Sequence, residues 1–134
     1  MKQIILLIIL AFSFQMCSNK GSDNKLEVKL CPDSDSILAK YKNNMAAESI
    51  DINYKDSSLI DDTINSVHVL LFNPTNLPES AIDTVSFALA KDLFKCLINK
   101  DDFGRIDIDF IFEKAYFSNP YSNIVRSYNY KELE

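Results

Sequence analysis

With 134 residues, 47% of them hydrophobic and 25% charged, the chain has the composition of one ordinary globular domain, not of a disordered or fibrous protein. A formal net charge of −5 and the lack of any Lys/Arg cluster argue against nucleic acid as a partner. With only 2 glycines there is no material for a glycine-rich phosphate loop, neither GxSxG nor CxxC occurs, and no cofactor is expected.

Residues 1–16 read as a leader: Lys2 supplies the positive end and Ile4 to Phe14 (IILLIILAFSF) the apolar segment. That segment is shorter than the ~20 residues a spanning helix needs. Cys17 follows, and then SNKGSDNK, a polar stretch suited to a flexible tether over 17–25. This layout resembles a bacterial lipoprotein signal over residues 1–25. The resemblance implies lipid attachment at Cys17 and export to the cell envelope, with the chain anchored at the outer membrane or cell surface. Met16 stands where such signals carry a small residue. The alternatives are plain secretion after cleavage at the small pair Ala11/Ser13, and an uncleaved anchor.

Residues 26–134 are expected to form a single domain. LEVKL (26–30) alternates and reads as a short strand, ended by Pro32 in CPDSDS. Asp33 and Asp35 offer helix caps there, a better account of them than metal binding. Ile37, Leu38, Tyr41 and Met45 recur at helical spacing, predicting a helix over 36–47. SIDINYK (49–55) alternates as a strand, and SVHVLLF (66–72), apolar on both faces, reads as a central strand covered on both sides. In NLPES, Asn76 is the expected cap with Glu79 three residues on and Pro78 in the first turn. A long helix follows, its stripe formed by Ile82, Val85, Leu89, Leu93, Cys96 and Leu97 and widened by Phe87, Phe94 and Ile98.

INKDDFG ends that helix, Gly104 supplying turn geometry. NKDDFG only half-matches a calcium loop, since Phe103 and Phe110 occupy ligand positions. RIDIDFIFE (105–113) alternates, SNPYS (118–122) is a turn by composition, and NIVRSYNY (123–130) is a hairpin partner. The order implies an α+β fold: a small two-layer sandwich with a mostly antiparallel sheet of four or five strands, one long helix and one shorter one.

Asp107 and Asp109 project from one strand face, roughly 7 Å apart, as paired-carboxylate or cation chemistry requires. With Arg105 beside them and Lys55 across, they read better as a solvated face. His68, the only histidine, reads as a buried, hydrogen-bonded sheet residue. A nominal pairing of His68 with Cys96 would place the thiol in an apolar stripe, where its pKa rises and its nucleophilicity is lost. Cys31 and Cys96 are expected as structural thiols, with a disulfide between them the alternative in an exported chain. Aromatics concentrate in the C-terminal third. Most of them suit cross-strand packing, and Tyr116, Tyr121, Tyr128 and Tyr130 are the candidates for an exposed binding surface.

The expectation is thus a small non-enzymatic lipoprotein, tethered to the membrane through an N-terminal lipid, whose domain binds another envelope protein. The alternatives are a small exported metal-dependent hydrolase using Asp107 and Asp109, and a plainly secreted binding protein. An apolar sheet face opposite the long helix, if the first helix leaves it uncovered, favours membership of a larger envelope complex.

Overall fold

The computed structural model describes residues 26–56, 64–112 and 122–134. The leader, Cys17, the tether, most of the loop after Asp56, the turn at 118–121, Tyr116 and Tyr121 lie outside the described residues.

Period-two alternation and β-branched residues produce four strands: β1 (Ser49–Lys55), β2 (Ser66–Phe72), β3 (Arg105–Phe112) and β4 (Ser122–Asn129). They form one sheet in chain order, with β1–β2 and β3–β4 antiparallel and β2–β3 parallel. Two main helices, α1 (Ser34–Met45) and α2 (Ile82–Cys96), and a terminal turn, α3 (Tyr130–Leu133), complete an α+β fold. The sheet is mixed because α2 carries the chain from β2 across to β3, which a tight hairpin cannot do for parallel neighbours.

Residues paired in register share a face of the sheet. Ile52, Val69, Ile108 and Arg126 stand in one row, with Ile50, Leu71, Phe110 and Ile124 beside it and Tyr54, Val67, Ile106 and Tyr128 on its other side. This face carries both helices. Tyr41 and Met45 of α1 and Ile82, Leu89, Ala90 and Leu93 of α2 share one buried core with Val67, Val69, Leu71, Ile106, Ile108 and Phe110. Each such side chain removed from water contributes about 1.5–3 kcal/mol, which makes this layer contact the main stabilising feature. Polar contacts fix its edges. Tyr41 Oη donates to Asp92 at 2.8 Å, and Ser86 Oγ and Tyr128 Oη lie 2.6 Å apart. Burial, with the Asp92 hydrogen bond second, pushes the Tyr41 phenol well above its ordinary pKa.

Local expectations fail where tertiary contacts outbid local rules. Asn76 does not cap α2; its amide nitrogen donates to Asn44 O and its N–H to Met45 O. Pro78 is extended (φ −69°, ψ 146°), and the helix starts through a 3-10 turn at Glu79–Ala81. Residues 26–30 form no strand, making only an isolated bridge between Leu30 and Leu97. Phe87 and Ile98, expected to widen the stripe, are exposed. Gly104 is needed for close approach, since a Cβ there would lie 2.7 Å from Ile64 Cγ2.

Cys31 and Cys96 are joined in a disulfide, not left as two thiols. Residues 29–31 run against the end of α2, with Cys31 N–H donating to Cys96 O at 2.8 Å and Ile98 N–H to Lys29 O at 2.8 Å. That brings the two Cα atoms to 5.0 Å, within bonding reach. Asn99 completes the latch. Its Nδ2 donates to Glu27 O at 2.8 Å and its Oδ1 accepts from Lys29 N–H at 2.9 Å. In NKDDFG, then, Asn99 has a structural role.

The disulfide spans a sequence separation of 65, for which loop-closure entropy predicts a contribution of about 4 kcal/mol, with less usually realised. The double variant Cys31→Ala/Cys96→Ala should lose about 2–4 kcal/mol in urea unfolding. A reducing agent should destabilise the parent chain and leave the variant unchanged.

Candidate functional site

On the opposite face of the sheet, register aligns Asp51, Leu70, Asp109 and Val125 in one row. The next row holds Asn53, His68, Asp107 and Ser127, and the row beyond it Lys55, Ser66, Arg105 and Asn129. Ser49, Phe72, Ile111 and Asn123 close the other end. Among the described residues, no helix or strand packs on this face. The expectation that β2 is covered on both sides is therefore not met.

The solvated-face reading of Asp107 and Asp109 is corrected: Asp107 is 3% and Asp109 7% exposed. β3 is a central strand, so each carboxylate is flanked by side chains of β2 and β4, which an isolated alternating strand cannot reveal. Arg105 engages Asp107 from two sides. Its Nη2 donates to Oδ2 at 3.3 Å, and its Nε lies 2.9 Å from Oδ1 as an ion pair not aligned as a hydrogen bond. Asp109 has a different neighbour, with His68 Nε2 at 3.6 Å from its Oδ2, beyond hydrogen-bonding distance. Ser66 Oγ, His68 Nε2 and Asp109 Oδ1 are buried without a hydrogen-bond partner. His68 is thus half-buried rather than buried, and its Nε2 makes no hydrogen bond.

Burial, then the Lys55 ammonium, pushes the His68 imidazole below its ordinary pKa against the pull of Asp109 and Asp107. At neutral pH it is therefore uncharged, and the Asp109 carboxylate has no cation bonded to it. Leaving a buried polar atom unpaired costs about 1–3 kcal/mol, more when it is charged. Several such atoms in one place mark either stored strain or a site awaiting a ligand.

Nucleophilic catalysis needs a hydroxyl or thiol bonded to its base. Ser66 Oγ bonds to nothing, and Cys96 is in a disulfide at the end of α2 while His68 faces the other side of the sheet. The nominal Cys96–His68 pair is therefore ruled out. Among the described residues, no group of three His, Cys, Asp or Glu is placed to hold a metal ion. Asp107 is committed to Arg105, so the two carboxylates do not act as an equivalent pair. This face presents a charged centre bordered by Leu70, Phe72 and Ile111, all half-buried, and by Val125, which is 41% exposed.

Tyr128 and Tyr130 are half-buried, not exposed. The Tyr128 ring meets Phe87 edge-on at 5.5 Å and the Tyr130 ring meets Phe94 at 4.9 Å, so both pack on α2. Tyr128 pairs in register with Ile106 on the face that carries α2, and no signal in the sequence showed that α2 would lie there. A hollow of about 520 Å³ lies between residues 26–30 and β1, lined by apolar residues such as Val28, Leu30 and Ile52 and by Glu27 and Asn53. None of the described helices is long and apolar enough to cross a membrane. No protein-family model, curated protein or solved structure matches the chain.

The depressed pKa of His68 has a signed consequence. As pH falls through about 6.5, the unfolded chain takes up the proton first, so stability is full above that pH and declines below it. Urea midpoints measured from about pH 7.5 to 5 should fall in the parent and flatten in His68→Gln. An unchanged slope in the variant would assign the titration elsewhere. Arg105→Gln, which strips the buried Asp107 of its cation, should cost about 1–3 kcal/mol in the same assay.

Proposed function

We propose that the protein is a small non-enzymatic lipoprotein, held at the membrane by a lipid on Cys17, whose domain binds another protein of the cell envelope through the face of its sheet opposite α1 and α2. The observation that carries this reading is the one-sided placement of α1 and α2, which leaves a face with a buried charged centre and apolar border unpartnered among the described residues. An interface of this kind, polar and apolar groups mixed, is ordinary for proteins that associate without being obligate partners.

Support for export comes from Cys31–Cys96, because such bonds form and persist in oxidising compartments. Support for the tether comes from sequence: an apolar leader, Cys17, and a polar stretch ending where the described domain begins at Leu26. Fully extended, residues 17–25 reach at most ~30 Å, enough to hold a domain just off a bilayer surface.

Cys17→Ser should move the protein from the membrane fraction to the soluble fraction, with the domain's thermal unfolding unchanged. Continued sedimentation with membranes at unchanged size would refute lipid attachment. Release of the parent chain into the medium would favour the plainly secreted alternative.

A further inference from the structure

Asp109 poses a specific chemical question on the face just described. Its Oδ1 is buried with no hydrogen-bond partner, and its Oδ2 sits 3.6 Å from an imidazole that is uncharged at neutral pH. The cations of this face do not serve it: Arg105 is engaged with Asp107, and Lys55 stands two register rows away at the other end of β1. A carboxylate nine-tenths buried and unpaired is costly, and the cost is recovered when a cation arrives with hydrogen bonds to offer.

We propose that this face receives one basic side chain, a guanidinium or an ammonium, from a protein partner, and that the Asp109 carboxylate, reached at its less buried Oδ2, is its acceptor. The proposal rests on the reading of the face as a docking surface. Three further observations select a basic side chain on an apolar background. Val125, the register partner of Asp109 on β4, is 41% exposed, which gives a long side chain an approach along that strand. Leu70, Val125 and Ile111 offer contact to an alkyl stem while its charged head reaches the carboxylate. The chain as a whole carries −5, so a basic partner surface is also steered toward it. A bare metal ion fits less well, since no third ligand among the described residues joins the two aspartates.

His68 then acts as a competitor. Once protonated, its imidazolium lies beside Asp109 and compensates the same charge, so acid should weaken binding. Among the described residues, the other charged or titratable groups of this face are Asp51 and Lys55 on β1 and Arg105 and Asp107 on β3, while β4 presents Asn123, Val125, Ser127 and Asn129.

The test uses the full mature chain and two capped synthetic pentapeptides, one alternating valine with arginine and one with glutamate in place of arginine, titrated by calorimetry. The arginine peptide should bind saturably and the glutamate peptide should not. Asp109→Asn should weaken binding by about tenfold or more, and the exposed control Asp51→Asn by less than about threefold. Binding should also weaken between about pH 7.5 and 5.5, and do so less in His68→Gln. Equal binding of both peptides, unchanged in Asp109→Asn, would leave the docking face standing and overturn the cation assignment. Binding of neither peptide would overturn both. Should Asp109→Asn fail to fold, the side-chain carboxyl carbon signal of Asp109 in the parent chain decides: it should shift on adding the arginine peptide, and an unmoved signal at saturation overturns the proposal.

Discussion

The parallel pairing of β2 with β3 is the constraint from which the other features follow. Parallel neighbours need a crossover, and α2 is that crossover, laying Ile82, Leu89, Ala90 and Leu93 over Val69, Ile106, Ile108 and Phe110. With α1 packed beside α2 and against β1, all of the described helical mass sits on one side. On the sheet's other side, among the described residues, the contacts are those between the strands' own side chains. On β3 this produces two carboxylates in one strand with separate neighbours, Arg105 for Asp107 and His68 for Asp109. The first is a close ion pair with one hydrogen bond and the second has neither a hydrogen bond nor a charged partner at neutral pH, and that difference separates a structural ion pair from a candidate site.

The other end of the helical layer is closed by covalent and polar means. A domain of this size buries a modest core, and residues 26–31 would be a loose lead-in without the Cys31–Cys96 bond and the Asn99 contacts to Glu27 and Lys29. If a lipid on Cys17 bears the load of a tether, as proposed, the force enters the domain at Leu26. The latch lies within a few residues of that point and transfers the load to the end of α2, the longest helix described.

Much of this architecture was legible in the residues themselves. The four strands and α1 fall within two residues of the positions that alternation and helical spacing predict, and α2 keeps its expected stripe though it starts later, because each element buries one face and the period of burial is written in the sequence. What was not legible depends on partners distant in the chain. The disulfide joins residues 65 apart, and nothing local to either cysteine reveals it. RIDIDFIF reads the same whether its aspartates face water or lie flanked on a central strand, so the burial of Asp107 and Asp109 had to come from the sheet order. Tyr128 and Tyr130 were misplaced for a related reason: which side of β4 is covered depends on where α2 crosses. The start of α2 slipped where Asn76 is instead tied to the end of α1, its Nδ2 donating to Asn44 O and its N–H to Met45 O.

The sheet, the latch and the charged centre together describe a rigid platform with one finished side and one side that ends in an unpaired carboxylate. Under the proposed reading this face serves recognition at a membrane surface; neither Ser66, whose Oγ has no hydrogen-bond partner, nor Cys96, held in the disulfide, is placed as an activated nucleophile. The proposed anchoring gives the platform its location, and the intact mass of protein extracted from membranes with detergent tests it most directly. The account predicts a chain that begins at Cys17 and carries the added mass of a diacylglyceryl group. A chain beginning at Phe14, or one retaining Met1, with no lipid mass would contradict it.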